Sequence, residues 1–365
     1  MTTIAYQGEI RFCRYLDAAG QPVGELPDWA GKPDTLVEYY RQMTLARQFD
    51  TKAIALQRTG QLGTYPSLLG GEAIDIPTAS LMDDEDVLVP YYRNHAMQVM
   101  RGCDWRDVLL YWGGDERGSA SPALRQDLPN CVPIATQCLH ACGVAAAFRI
   151  RGEKRVAVTL CGDGATSKGD FLEALNVAGT WQLPLVFIVN NNQWAISVPR
   201  AMQCGAPTLA QKAIGAGIRG EQVDGNDVIA VHEAVALALE RARGGKGPSL
   251  IEAVSYRLSD HTTADDATRY RSSDELRAGW EHEPVKRLRN FLHGRGWWNE
   301  EQEQAWQADI SRRVQQAVDA YLATAPDDPG AMFDHLYAEL PASLEAQREQ
   351  VRARAAARAA RREQD

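Results

Sequence analysis

The chain has no surplus of positive charge: across 365 residues, 39 Lys and Arg face 48 Asp and Glu, for a formal net charge of −9. That balance offers no basic face to a phosphate backbone, so no nucleic-acid partner is expected. No apolar run approaches the roughly 20 residues that a membrane-spanning helix needs, so no membrane partner is expected either. The opening residues, MTTIAYQGEIRFCRYLDAAG, lack the basic start and apolar core of a secretory leader, and the expected location is cytoplasmic. Cysteine is sparse. Seven residues at irregular spacing, two of them (Cys138 and Cys142) inside one helical stretch, fit neither a disulfide ladder nor a zinc ribbon and read as reduced packing residues. No internal repeat or low-complexity linker divides the chain.

What the sequence does hold is 45% hydrophobic residues, enough for a large core, arranged in alternating patterns. Residues 33–58 read as a helix with Leu36, Tyr39, Tyr40, Met43 and Ala46 on one face. Beyond it, β-rich apolar runs at 87–91, 155–160, 185–190, 218–223 and 249–256 alternate with helical stretches near 135–151, 169–181, 208–216 and 226–243. This predicts an α/β fold, a doubly wound parallel sheet with helices on both faces. An N-terminal strand-and-turn arm spans 1–30, the α/β domain 31–325, and a helical tail 326–365, whose arginines among alanines read as a solvated helix.

In such a sheet, ligands sit beyond the C-terminal ends of the strands. One strand-helix-strand unit, CGDGATSKGDFLEALNVAGTWQLPLVFIVNNNQWAIS, places Gly162-Asp163-Gly164 at the first strand end and Asn190-Asn191-Asn192 at the second. Gly162 and Gly164 permit a tight turn and close approach to a phosphate, and the helix that follows offers its first amides to an anion. A dinucleotide loop would show the same glycines, but Ser167 stands where its last glycine belongs, and asparagines stand where a ribose-binding acid belongs. A carboxylate between the glycines repels a bare diphosphate unless a cation lies between them. A hard cation such as magnesium, taking oxygens from Asp163, Asn192 and a nearby backbone carbonyl, resolves the conflict.

GDG, a helical spacer, a strand and then NN resembles the thiamine diphosphate motif. The flanking text narrows the resemblance to the alpha subunits of the decarboxylating first component of 2-oxo acid dehydrogenase complexes. QRTGQLGTYPSLLGGEA, VPYYRNHAMQVMRG, GDGATSKGDFLEALNVAG, NNNQWAIS and DHTTADDATRYRS follow the family's order, and the likeness runs over residues 10–345. The resemblance implies magnesium bound by the side chains of Asp163 and Asn192 and by the backbone carbonyl of Trp194. It implies a cofactor-binding set of Tyr92, Arg93, Ile134, Gly162, Asp163, Gly164, Ala165, Asn192, Ser197 and His261, with Tyr92 and Arg93 on the diphosphate and Ile134 near the aminopyrimidine. His261 is the implied catalytic residue, assisting acyl transfer to a lipoyl group.

The same resemblance implies the thiamine diphosphate-binding fold, a beta subunit that completes an α2β2 enzyme, and a lipoyl-bearing acyltransferase core as the acceptor. Oxidative decarboxylation of pyruvate is the favoured activity. A branched-chain 2-oxo acid as substrate, and cleavage of acetoin by a related alpha subunit, are the alternatives, and a nucleotide-binding domain without this chemistry is the third reading. One departure stands out: many relatives carry a substrate-contacting histidine between the positions of Tyr111 and Pro133, and this segment contains none. The charged loop around His261, with Arg257, Arg269, Tyr270 and Arg271, is expected to order around a diphosphate.

Overall fold

The computed structural model describes residues 1–122, 126–334 and 336–362; residues 123–125, 335 and the last three of the expected tail lie outside the described residues. Eight strands are present among them: β1 Phe12–Cys13, β2 Val87–Val89, β3 Ala157–Gly162, β4 Leu185–Asn191, β5 Trp194–Ala195, β6 Val198–Pro199, β7 Arg219–Asp224 and β8 Ser249–Val254. Six build one sheet in the order β1-β7-β8-β4-β3-β2, with every pairing parallel. The other two, β5 and β6, form a separate antiparallel hairpin.

Alternation along β4 explains why helices cover both faces. All seven of its residues are buried, and successive side chains point to opposite faces. Leu185, Phe187 and Val189 gather with Ala141, Ala145, Phe171, Ala174 and Ala178 of the helices Thr136–Arg151 and Gly169–Thr180. Val186 and Ile188 gather instead with Ile74, Ala230 and Ala234 of the helices Glu72–Leu81 and Val228–Arg243. Each such apolar side chain contributes about 1.5–3 kcal/mol on burial, so one strand anchors two cores. The alanines let the covering helices lie close to the sheet.

The N-terminal arm is tied in by one carboxylate. Asp227 caps the helix Val228–Arg243, accepting from the amides of Ile229 and Ala230 through Oδ1. Its Oδ2 accepts from the amides of Tyr15 and Leu16 at 2.6 and 2.7 Å. The adjoining Phe12–Cys13 pairs with Gln222 and Val223 as an edge strand, so the arm extends the sheet.

The predicted face of the first helix is observed: Leu36, Tyr39, Tyr40, Met43 and Ala46 are all buried along Pro33–Arg58 and cluster with Phe291, Leu292 and Trp298. The helix expected over 208–216 is instead two short turns, Leu209–Gln211 and Lys212–Gly215. Three helices that the sequence pattern did not separate, Glu72–Leu81, His95–Met100 and Trp105–Trp112, follow the first. β2 stops at Val89 because Pro90 has no N–H to give the ladder. No helix among the described residues is long and apolar enough to cross a membrane.

The chain divides into two units, Met1–Val318 and Asp319–Asp365. In the second, ion pairs Arg348–Asp334 at 3.3 Å and Arg352–Asp328 at 2.8 Å tie the helix Ala342–Arg362 to the segment before it.

Candidate active site

Four neighbouring strands, β8, β4, β3 and β2, end on the same side, and their C-terminal extensions enclose a cavity of about 200 Å³. Tyr92 and Arg93 follow β2; Gly162, Asp163, Gly164 and Ala165 close β3; Asn192, Trp194 and Ile196 follow β4; and His261 lies beyond β8. The segment Cys131–Ala135, including Ile134, and Gln137 complete the wall. Arg93 and His261, 168 positions apart, therefore meet because a parallel sheet delivers every strand end to one rim. Ser197 is not brought in: it sits exposed at the tip of the β5–β6 hairpin and does not line the cavity.

Asp163 starts a short 3-10 turn, Asp163–Ser167, immediately after β3. Its carboxylate is buried, and burial raises its pKa against the pull of a hydrogen bond from Gln203. That bond runs from Gln203 Nε2 to Asp163 Oδ2 at 2.9 Å. Gly164 must be glycine here, since a Cβ would stand 2.5 Å from the Cβ of Ala195.

The three asparagines divide their labour. Asn190 accepts from Ser255 Oγ at 2.7 Å, and Asn191 donates to Glu252 at 2.7 Å; both bonds tie β4 to the β8 side. Only Asn192 lines the cavity. Its backbone oxygen accepts from Arg257 N at 3.1 Å, and its Oδ1 accepts from Trp194 N at 3.2 Å, which leaves a second lone pair on that oxygen. Trp194 is anchored by its indole N–H on Glu275 at 2.9 Å. The backbone on either side of it is strained: Gln193 before it has φ 72 and Ile196 after it φ 54, and a β-branched residue in the left-handed region is costly. Arg257 holds Ile196 there by donating to its carbonyl at 2.9 Å.

Arg93 lines the cavity, and Arg257 stands behind its lining residues Ile196 and His261. Arg93, 6% exposed, donates to the Ser67 carbonyl at 2.6 Å and to the His261 carbonyl at 2.9 Å. Arg257, 2% exposed, donates to Ile196 and to the Tyr270 hydroxyl at 2.7 Å. Both also reach His261 Nδ1, at 3.2 and 3.4 Å. A guanidinium only donates, so Nδ1 is the acceptor and Nε2 carries the proton. Burial, then the charges of Arg93 and Arg257, push the imidazole pKa down to about 4 while Asp265 opposes them. His261 is therefore neutral at neutral pH. Asn94 stiffens the turn that carries Arg93: its Oδ1 accepts from Tyr91 N, and its Nδ2 donates to buried Asp75 at 2.8 Å.

The loop beyond β8 carries its own cross-ties. Asp265 accepts from His261 N and from the Tyr270 hydroxyl, and Arg271 donates to the carbonyls of Arg257 and Ser259. These ties hold together the loop that the sequence reading expects to order around a diphosphate.

These residues fit a diphosphate and a hard cation. Neither Arg93 nor Arg257 meets a carboxylate among the described residues; their partners are carbonyls, an imidazole and a phenol. Arg257 Nε is buried with no partner at all. Buried cations demand an anion. No group of three or more His, Cys, Asp and Glu arranged for a metal occurs among the described residues, and the oxygen set implied here needs only one carboxylate beside an amide and a carbonyl.

One contributor escaped the sequence reading, and Arg257 entered it only as part of the charged loop around His261. Arg257 follows the apolar run of β8 as Arg93 follows that of β2, so the rule that placed one at the diphosphate applies equally to the other. Gln203 lies in an irregular loop, and no local signal in the sequence marks it.

A family model described as "Dehydrogenase E1 component" matches residues 40–329. The alpha subunit of 3-methyl-2-oxobutanoate dehydrogenase from Mycobacterium tuberculosis is 43% identical over 307 residues, covering 84% of each chain. The alpha subunit of the pyruvate dehydrogenase E1 component from Staphylococcus aureus is 38% identical over 343 residues, covering 92% of this chain and 91% of the relative. The counterpart from Mycoplasma genitalium is 38% identical over 307 residues, with 84% and 86% covered. The match spans all four strand ends that build the cavity, and the chain belongs to the dehydrogenase E1 component family, among its alpha subunits.

Proposed function

We propose that this chain is the alpha subunit of an α2β2 enzyme that binds thiamine diphosphate and magnesium, decarboxylates a 2-oxo acid oxidatively, and passes the acyl group to the lipoyl arm of an acyltransferase core in the cytoplasm. The observation that carries the reading is the meeting, in one cavity, of a buried carboxylate and amide from adjacent strand ends with buried Arg93, while buried Arg257 reaches the lining residues Ile196 and His261 from behind; neither arginine has a carboxylate partner.

In this reading Asp163, Asn192 and the Trp194 carbonyl hold magnesium. Tyr92, Arg93 and Arg257 hold the diphosphate, and Ile134 lies along the aminopyrimidine. Thiamine diphosphate, when bound, supplies the electron sink that lets carbon dioxide leave. His261, fixed as the Nε2–H tautomer, offers a neutral donor to the acyl group during transfer.

The site is half of one. A complete small-molecule site runs to roughly 300–1,000 Å³, and this cavity is about 200 Å³. Asp163 is the only carboxylate among its described lining residues, so none is left for the aminopyrimidine. Its lining includes exposed Val132, Ile134 and Ile196, an apolar rim suited to a tightly held subunit. A beta subunit that covers this rim brings the missing acid and excludes water.

Pyruvate is the favoured substrate, in line with the Staphylococcus and Mycoplasma relatives. The branched-chain reading rests on the Mycobacterium relative, at 43% identity. A methylene difference in a pocket is worth only about 1–3 kcal/mol, so the assembled enzyme must be assayed directly. Faster reduction of an artificial acceptor with pyruvate than with 3-methyl-2-oxobutanoate is expected. The reverse order moves the assignment to the branched-chain type, and acetoin cleavage with neither acid turned over replaces both.

A further inference from the structure

Asp163 is held by a side chain 40 positions downstream. Gln203 Nε2 donates to Asp163 Oδ2 at 2.9 Å and to the Val198 carbonyl at 3.1 Å. Both partners are acceptors, so only the nitrogen end of the amide satisfies them. The backbone of Gln203 is fixed as well. Its N–H donates to the Arg200 carbonyl at 3.0 Å, closing the turn Arg200–Met202, and its carbonyl accepts from Ser167 Oγ at 3.5 Å. Its Oε1 lies 3.5 Å from the point where a Cβ on Gly164 would stand.

A carboxylate has two equivalent oxygens and a soft terminal torsion. Magnesium demands near-octahedral geometry with single oxygens, and a carboxylate free to turn or to offer both oxygens is a poor ligand for it. A donor that engages one oxygen removes that freedom, as outer-shell hydrogen bonds do for metal ligands generally.

We propose that Gln203 is the positioning residue for the metal-binding carboxylate: by occupying Oδ2 of Asp163 it fixes which oxygen is offered to magnesium. The inference rests on the reading of Asp163 as a magnesium ligand. Gln203 does not line the cavity and meets it through Asp163.

The test is calorimetric titration of magnesium into the α2β2 enzyme at fixed thiamine diphosphate, comparing wild type with Q203M, S167A and D163A. Q203M keeps the length of the side chain and loses the donor. It should bind magnesium about 10-fold or more weakly while melting, without ligands, like wild type. S167A touches the same loop but not the carboxylate, and should bind like wild type. Wild-type magnesium affinity in Q203M overturns the proposal. So does an equal loss in S167A, or a lowered unliganded melting temperature in Q203M, since either makes the loop's packing responsible. D163A separates the two levels: if it binds magnesium normally, the metal-site reading itself fails, whereas loss in D163A beside normal Q203M removes only the role of Gln203.

Discussion

Arg93 grips His261 at two points, with Nη2 at 3.2 Å from the imidazole Nδ1 and 2.9 Å from the His261 carbonyl. One cation thereby sets the position, the tautomer and the charge of the implied catalytic group. The folded pKa of about 4 lies below the unfolded value of about 6.5, so protonation favours the unfolded chain. Stability from this site is present above about 6.5 and is lost as pH falls towards 4. Nitrogen-15 NMR of the unliganded enzyme at pH 6 should show His261 neutral with its proton on Nε2. A charged ring, or a proton on Nδ1, would contradict the arrangement.

The role of His261 can be split by assay. H261A should keep decarboxylation with an artificial electron acceptor and lose lipoyl acylation by about 100-fold or more. Equal losses in the two assays would move the histidine to cofactor placement, and equal retention would leave it a loop residue.

Removing either proposed magnesium ligand should leave a folded protein without metal-dependent cofactor binding. D163A and N192A should melt near wild type and show no magnesium-dependent binding of thiamine diphosphate by calorimetry. Chelation of magnesium from the wild-type enzyme should release the cofactor in the same way. Wild-type cofactor affinity in both variants would sink the assignment.

Two glycines two positions apart should fail differently. A Cβ on Gly164 meets the Cβ of Ala195 at 2.5 Å, whereas one on Gly162 meets nothing within 4 Å. G164A must push aside the hairpin that carries Trp194, at about 1–3 kcal/mol of overpacking, and should melt lower. G162A should melt like wild type and weaken only cofactor binding, because its methyl group occupies room that the diphosphate needs. Equal melting of the two variants would refute the contrast.

The centre of the sheet was legible because β2, β3, β4 and β8 are buried almost throughout and therefore read as apolar runs. The pairing of Asp163 with Asn192 was legible because one strand-helix-strand unit carries both. What the sequence left dark is long-range. Asn190, Asn191 and Asn192 look alike in a string, and only the register of β4 against β8 turns the first two inward as ties and the third towards the cavity. Gln203 and Asp227 act across 40 and more than 200 positions, through irregular loops or an arm with no periodicity. Ser197 carries the family's pattern, yet the geometry of a two-residue hairpin tip turns it outward.

Alone, the chain should not turn over substrate. Purified without its partner and supplied with magnesium and thiamine diphosphate, it should show no decarboxylation above background, and adding the beta subunit should restore it. Robust activity of the isolated chain would mean that the missing carboxylic acid lies within this sequence.

Arg257 links the strained Ile196 carbonyl on one side to the His261 ring on the other. Effects of substitutions in these two loops will therefore not simply add, although the residues belong to different strand ends. Relaxing the turn with I196G removes the left-handed strain, yet it also loosens the carbonyl that helps to aim the guanidinium at the histidine. Double-mutant cycles between positions 196 and 261 should give a coupling of about 0.5 kcal/mol or more, and any effort to reshape one loop for a new substrate must treat the other as part of the same unit.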